Sequence, residues 1–170
     1  MPTILGIEST CDETAAAVVI DGHEVRSSVV ASQVELHEKY RGVVPEIASR
    51  AHIENILPVI RESLAQADRR LEDLDAIGVA HRPGLIGSLL IGVTAAKTLA
   101  WAISKPLIGI DHVHAHLYSV VLDRNEQPPM PAVGLVVSGG HTALYRVESW
   151  SDVTLIGSSI DDAVGMFSAA

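Results

Sequence analysis

The run Asp111-His112-Val113-His114-Ala115-His116 has the residue types and spacing to do chemistry. His112 and His116 are four apart, so a helix would project both imidazoles from one face, one turn above the other. That spacing lets a transition metal take two nitrogens from a single rigid element. A strand-like segment, Pro106–Ile110, leads into the run, and open α/β sheets place ligands at the carboxyl ends of their strands. No Glu stands between the histidines, so the general base of a zinc protease is missing. His114 falls on the opposite side of the helix and reads as a bystander or an outer support. Asp111 and Asp12 are candidates for a third ligand or for support of the pair. Chance also yields many His pairs at this spacing, most of them without a ligand.

Three further segments carry candidate chemistry. In Glu8-Ser9-Thr10-Cys11-Asp12-Glu13-Thr14, hydroxyls and backbone N–H groups in a tight turn could hold phosphate oxygens, and carboxylates could hold a metal or position water. A plain polar hairpin loop is the commoner explanation of such a turn taken alone. Cys11 has no His fixed beside it by sequence and reads as a small thiol at a buried edge. In Val137-Ser138-Gly139-Gly140-His141-Thr142, two glycines between strands allow close approach to a pyrophosphate, or make an ordinary hairpin turn. Arg82-Pro83-Gly84-Leu85-Ile86-Gly87 lies where a helix N-terminus can hold an anion, but it lacks the Lys-Ser/Thr of a P-loop. For Gly87 and Gly92 close helix-to-sheet packing is the better reading. His23, His37, His52 and His81 are scattered and read as surface or core residues.

The elements that must position these residues follow from periodicity. Thr3–Ile7, Ala15–Ile20 and Glu24–Ala31 read as strands, with a hairpin signal at Asp21-Gly22. Val44–Ala67 reads as a helix, with Pro45 near its start and Pro58 marking a kink or break. Strand Ala76–Ala80, helix Pro83–Ile103, strand Leu107–Ile110 and helix His112–Leu122 complete a β-β-β-α-β-α-β-α order. Arg124–Pro131 reads as a linker. After it the pattern restarts with strands Ala132–Val137, Thr142–Glu148 and Val153–Ser158, and a helix start at Asp161-Asp162-Ala163. This repeat predicts two lobes of one α/β architecture: residues 1–127 form the first, and 128–170 begin a second that is incomplete. The Gly139-Gly140 turn then holds the place in the second lobe that Glu8–Thr14 holds in the first. Two such turns facing across a cleft would make a nucleotide clamp.

Composition narrows the classes. At 170 residues and 48% hydrophobic, the chain suits a folded domain with a real core. No apolar run reaches the ~18 residues needed to span a bilayer, so no membrane association is expected. The N-terminus shows no basic segment with a cleavage site. One cysteine excludes an internal disulfide and points to the cytoplasm. A formal charge of −9 argues against this chain alone gripping a nucleic-acid backbone.

From about Thr3 to Gly165 the chain resembles the tRNA threonylcarbamoyladenosine transferases, TsaD in bacteria, formerly called O-sialoglycoprotein endopeptidase or glycoprotease. The resemblance rests on Gly6 to Thr14, Gly42 to His52, Pro83-Gly84-Leu85, His112 with His116, Val137 to Thr142, and Ile160-Asp161-Asp162-Ala163. It implies the actin-like, Hsp70-like ATPase (RNase H-like) fold. It implies transfer of threonylcarbamoyl from threonylcarbamoyl-AMP to N6 of adenosine 37 of tRNA. His112 and His116 would match the family's metal-ligating histidines, with Fe2+ the first expectation and Zn2+ the alternative. Val136, Val137, Ser138, Gly139 and Gly140 would match the stretch that binds the donor or an adenine nucleotide. Asp12 would match an acidic catalytic residue that takes the amine proton. Implied partners are tRNA, the paralogous scaffold TsaB and the ATPase TsaE, with self-association as a further expectation. The basic tRNA surface is expected outside this chain.

The chain also departs from the family. After Gly165 it reads Met166-Phe167-Ser168-Ala169-Ala170 where the family has Glu-Ala-Phe-Asp-Lys, which reads as a shifted frame or premature stop. Roughly half of the enzyme, including the third metal ligand, is expected to lie outside it. Arg82 replaces a glycine, and His114 stands where Glu is common. Two other readings compete: a non-catalytic scaffold of the same fold, and a metalloendopeptidase.

Overall fold

The computed structural model describes residues 1–124, 126–138 and 142–159. It divides into two compact units, Met1–His112 and Val113–Ala170.

The first unit is built on a five-stranded sheet of order β3-β2-β1-β4-β5: β1 (Thr3–Glu8), β2 (Glu13–Ile20), β3 (Glu24–Ser32), β4 (Ala76–Arg82) and β5 (Leu107–Asp111). β1 runs antiparallel to β2 and parallel to β4, which is in turn parallel to β5. The β2–β3 hairpin turns at Asp21 and Gly22, both at positive φ (53° and 79°). Three residues, Asp21-Gly22-His23, join the paired Ile20 and Glu24, and Asp and Gly are among the residue types that most readily take positive φ in such a turn. Parallel neighbours need a crossover. Helix α3 (Ile86–Ala102) makes the one from β4 to β5, starting three residues later than its sequence pattern.

Helix α2 (Pro45–Gln66) covers β2 and β3, while α3 covers β4 and touches α2. Pro58 lies inside α2 without breaking it, so of the expected kink or break the break does not occur. Both Pro58 and Glu54, whose carbonyl loses its N–H partner, are exposed, so water can serve that carbonyl. A short helix α1 (Val34–Glu38), not visible in the sequence pattern, follows β3.

Alternation places Leu5 and Ile7 of β1 and Ala16 and Val18 of β2 on the face that α2 and α3 cover, with Ile77 and Val79 of β4, which is buried from Ala76 to Ala80. From above, Ile56, Ile60 and Leu64 of α2 and Ala96 and Ala100 of α3 close this core. On α3, the buried face reads Ser88, Gly92, Ala96, Ala100, one residue per turn. Small side chains along that line let the helix axis approach the sheet closely.

The second unit contains a three-stranded antiparallel meander, β6 (Ala132–Val137), β7 (Thr142–Ser149) and β8 (Asp152–Ser158). Helix α4 (His112–Tyr118) ends four residues short of the expected helix and continues as a 3₁₀ turn over Ser119–Val121. Leu117, Val121 and Val147 are this unit's buried apolar residues among those described. Tyr118 and Trp150 meet edge to face at 5.0 Å, and Trp150 Nε1 donates to Gln127 Oε1 at 2.9 Å. The Gly139-Gly140 turn and the helix start at Asp161-Asp162-Ala163 lie outside the described residues.

Candidate functional site: the Glu8–Thr14 loop and the histidine helix

β1 ends at Glu8, and β5 delivers His112 to the first position of α4. Although 104 residues apart in sequence, the two side chains meet, with His112 Nδ1 3.0 Å from Glu8 Oε2. The other carboxylate oxygen of Glu8 accepts the Thr10 N–H at 2.5 Å. Burial alone would raise the carboxyl of Glu8, but hydrogen bonds from His112 and Thr10 overcome it and hold Glu8 below its ordinary value. The same hydrogen bond raises His112 above its ordinary value, against the opposing effect of its burial. A carboxylate on Nδ1 fixes the ring orientation, which is how metal-binding histidines are commonly held.

The loop after Glu8 is tied to the start of α3. Ser9 Oγ donates to the Ser88 carbonyl at 2.9 Å, Leu85 N–H to the Thr10 carbonyl at 2.8 Å, and Ser88 Oγ to the Cys11 carbonyl at 3.4 Å. These bonds require close approach. A Cβ on Gly84 would lie 2.7 Å from the Thr10 carbonyl oxygen, and one on Gly92 would collide with Ser9 Oγ. The packing reading of Gly92 thus holds, whereas Gly87, whose Cβ would collide with Ser49 Oγ, packs closely against helix α2 and not against the sheet as expected. In this unit the Arg82–Gly87 segment serves the loop through Gly84 and Leu85, which meet Thr10.

On its other side the loop meets a buried chain of polar side chains. His52 Nε2 lies 3.1 Å from the Cys11 carbonyl, and its Nδ1 lies 2.7 Å from Thr14 Oγ1. Gln33 Nε2 approaches His52 Nδ1 and the Ala48 carbonyl, each at 3.5 Å. Gln33 Oε1 lies 3.2 Å from His37 Nε2, and His37 Nδ1 accepts the Val44 N–H at 3.3 Å. Reading His37 and His52 as scattered surface or core residues missed this arrangement. A signal existed for His52, which falls on the buried stripe of α2 with Ala48, Ala51 and Ile56.

Asp12 is half-buried on this loop, and its carbonyl accepts the Gln33 N–H at 3.0 Å. Cys11 is exposed, which corrects the buried-edge reading: β1 has ended and the loop turns its residue outward. Desolvation of the sulfur, then the hydrogen bond and charge of the Asp12 carboxylate, push the Cys11 thiol up to about 11. Two units above the ordinary value leave roughly a hundredfold less thiolate near neutral pH. Greater intrinsic nucleophilicity at higher pKa returns part of this, so alkylation by iodoacetamide at pH 7.5 should run about tenfold slower than for free cysteine. A Cys11 that alkylates as fast as free cysteine would contradict this environment.

Asp111 Oδ2 lies 3.3 Å from Arg82 Nε, so the Arg that replaces the family's glycine has a carboxylate partner. His114 packs edge-on against Tyr145 at 6.1 Å. His116 shares α4 with His112 and borders a cavity of about 210 Å³ together with Leu117, Gly134, Val147 and Trp150. Among the described residues, no group of three or more His, Cys, Asp or Glu converges to hold a metal. Val136 and Val137 end β6, paired with Ala143 and Thr142, and Ser138 follows exposed. Gly139 and Gly140 lie outside the described residues.

The family model for the tRNA N6-adenosine threonylcarbamoyltransferases, TsaD, matches residues 24–167. The chain belongs to this family. Two relatives with that same name are those of Protochlamydia amoebophila, 54% identical over 162 residues, and Symbiobacterium thermophilum, 57% identical over 163. Each alignment covers 95% of this chain and 47% of the relative, so the chain spans about half the length of the curated relatives it matches. Among solved structures, YeaZ from Pseudomonas aeruginosa superposes with a TM-score of 0.58 at 18% identity, covering 94% of this chain and 67% of that one. At that identity the likeness speaks to fold alone. With the sheet order above, it establishes the α/β, actin-like and RNase H-like architecture that the resemblance implied.

Proposed function

We propose that this chain supplies one lobe of a tRNA threonylcarbamoyltransferase, acting on threonylcarbamoyl-AMP as donor and the N6 amine of a tRNA adenosine as acceptor. The family match supports the reaction class. The structural observation that carries the reading is the Glu8–His112 contact, in which a carboxylate orients the ring of a family-matching histidine through Nδ1. Two imidazoles on one helix suit Fe2+ or Zn2+ at two positions of its coordination sphere. When bound, such an ion supplies Lewis-acid polarisation of an oxygen on the donor.

The protein's own groups do the rest. Asp12 accepts the proton from the N6 amine as its nitrogen attacks the carbamoyl carbon and AMP departs. Val136 to Gly140 hold the donor, as glycine-rich stretches that accept phosphate groups do. tRNA, TsaB and TsaE belong to the same proposal, as does the cytoplasm. Among the described residues, no helix is long and apolar enough to cross a membrane. A second copy of the chain is a further partner, since β6 exposes Val133, Leu135 and Val137 on one face.

Titration with Co2+, followed by its visible absorbance, tests the metal side. Weak binding is expected, reduced at least about tenfold in His112→Ala and in His116→Ala, because each removes one of two protein ligands. No histidine-dependent binding would remove the metal and favour the scaffold reading. Chelator-sensitive peptide cleavage by the metal-loaded chain would favour the endopeptidase reading.

A further inference from the structure

One ring holds both ends of the Asp12 segment. A carbonyl only accepts, so the 3.1 Å contact with the Cys11 carbonyl places the proton of His52 on Nε2. Nδ1 is then the acceptor, and the Thr14 hydroxyl donates to it at 2.7 Å. Gln33 matches this tautomer, because its carbonyl takes the His37 Nε2–H and so directs its NH2 toward His52 Nδ1 and the Ala48 carbonyl. The Val44 N–H on His37 Nδ1 fixes the far end of the same chain. His52, Thr14 and Gln33 are all essentially inaccessible to solvent, so no water competes for these bonds. Asp12 lies between the two anchored residues, and its carbonyl is held by the Gln33 N–H.

We propose that His52 is a positioning residue for Asp12: donating from Nε2 to the Cys11 carbonyl and accepting at Nδ1 from Thr14, it clamps the loop that carries the proton acceptor. This rests on reading Asp12 as that acceptor. Gln33 and His37 act behind it by setting the tautomer. A buried polar chain with every partner matched is costly to leave half-satisfied, so loss of one member loosens the others. α2 thereby does more than cover the sheet, since its buried stripe reaches the loop through one imidazole.

The test uses the full 170-residue chain for loop order. For turnover it uses a chimera with residues 1–165 in place of the matching half of the Protochlamydia relative. His52→Asn keeps an acceptor near Thr14 and loses the donor to Cys11, whereas His52→Gln keeps an N–H that reaches the Cys11 carbonyl. In a folded Asn variant, Cys11 should alkylate about tenfold faster, the equilibrium effect of one lost buried hydrogen bond. The kcat of the chimera should fall roughly ten- to hundredfold with KM little changed, as for a displacement of about 1 Å at a reacting group. The Gln variant should recover both. If the Asn variant does not fold, Thr14→Val carries the same expectation for Cys11 and kcat.

Unchanged alkylation and kcat in a folded variant would overturn the proposal, as would a Gln variant no better than Asn. Faster alkylation with unchanged kcat would overturn it too, provided Asp12→Asn itself lowers kcat. Should Asp12→Asn leave kcat unchanged, the reading of Asp12 fails, while the alkylation rates still decide whether His52 holds the loop.

Discussion

Asp12→Asn should lower the kcat of the chimera by about 10²–10⁴-fold, the usual contribution of a positioned acid–base group. The substitution keeps shape and removes the ability to take a proton. It leaves the backbone bonds of the loop untouched, because Gln33 N–H holds the Asp12 carbonyl and His52 holds that of Cys11. KM for both substrates should therefore change little and the melting temperature hardly at all. The Cys11 thiol supplies an internal check. Its high value depends in part on the Asp12 carboxylate, so the Asn variant should alkylate faster than the parent. An Asp12→Asn chimera as active as the parent would remove Asp12 from the chemistry.

Leu5→Ala should destabilise the chain by about 2–5 kcal/mol, the cost of deleting a buried leucine where the site cannot fully collapse. Leu5 is fully buried at the centre of the sheet, with Val18 beside it on β2 and Ile77 beside it on β4, both also fully buried. All three belong to strands paired on both edges, so relaxation into the gap is limited. Against a typical total of roughly 5–15 kcal/mol, this is a large share. Urea denaturation followed by circular dichroism should show a lower midpoint with an unchanged slope. The contrast is Val133→Ala, whose side chain is 70% exposed on β6 and should shift stability by no more than about 0.5 kcal/mol. Equal effects of the two substitutions would contradict the core described for the first unit.

Much of this architecture was legible in the sequence because it is periodic. β1, β2 and β3 alternate, Asp21-Gly22 marks its turn, and the small residues of α3 advertise a tightly packed helix. Helix α1 escaped because five residues hold too little of a 3.6-residue repeat, and because its buried residue is His37, not an apolar side chain. Pro58 misled for the opposite reason: a strong local signal is absorbed when the freed carbonyl sits on the wet side of α2. The site divides in the same way. His112 and His116, four residues apart, announce themselves by spacing on one helix. The pairing of Glu8 with His112 spans 104 residues and exists only because β1 and β5, parallel to β4 on either side of it, bring their carboxyl ends to the same end of the sheet. No local pattern encodes such a contact. His52 lies between these cases, since a histidine on an otherwise buried helix stripe must find polar partners, yet the sequence does not say which.

The most direct measurement is threonylcarbamoyl transfer by the chimera itself. Purified with residues 1–165 of this chain, supplied with threonylcarbamoyl-AMP, metal, tRNA and the relative's partner proteins, it would be assayed for modified adenosine by mass spectrometry of the digested tRNA. Product at a rate within about tenfold of the parent relative is expected, since the Asp12 loop and the histidine helix would then be functional parts of the site. A chimera that folds and binds its partners as the parent does, yet forms no modified adenosine while the parent does, would contradict the assignment.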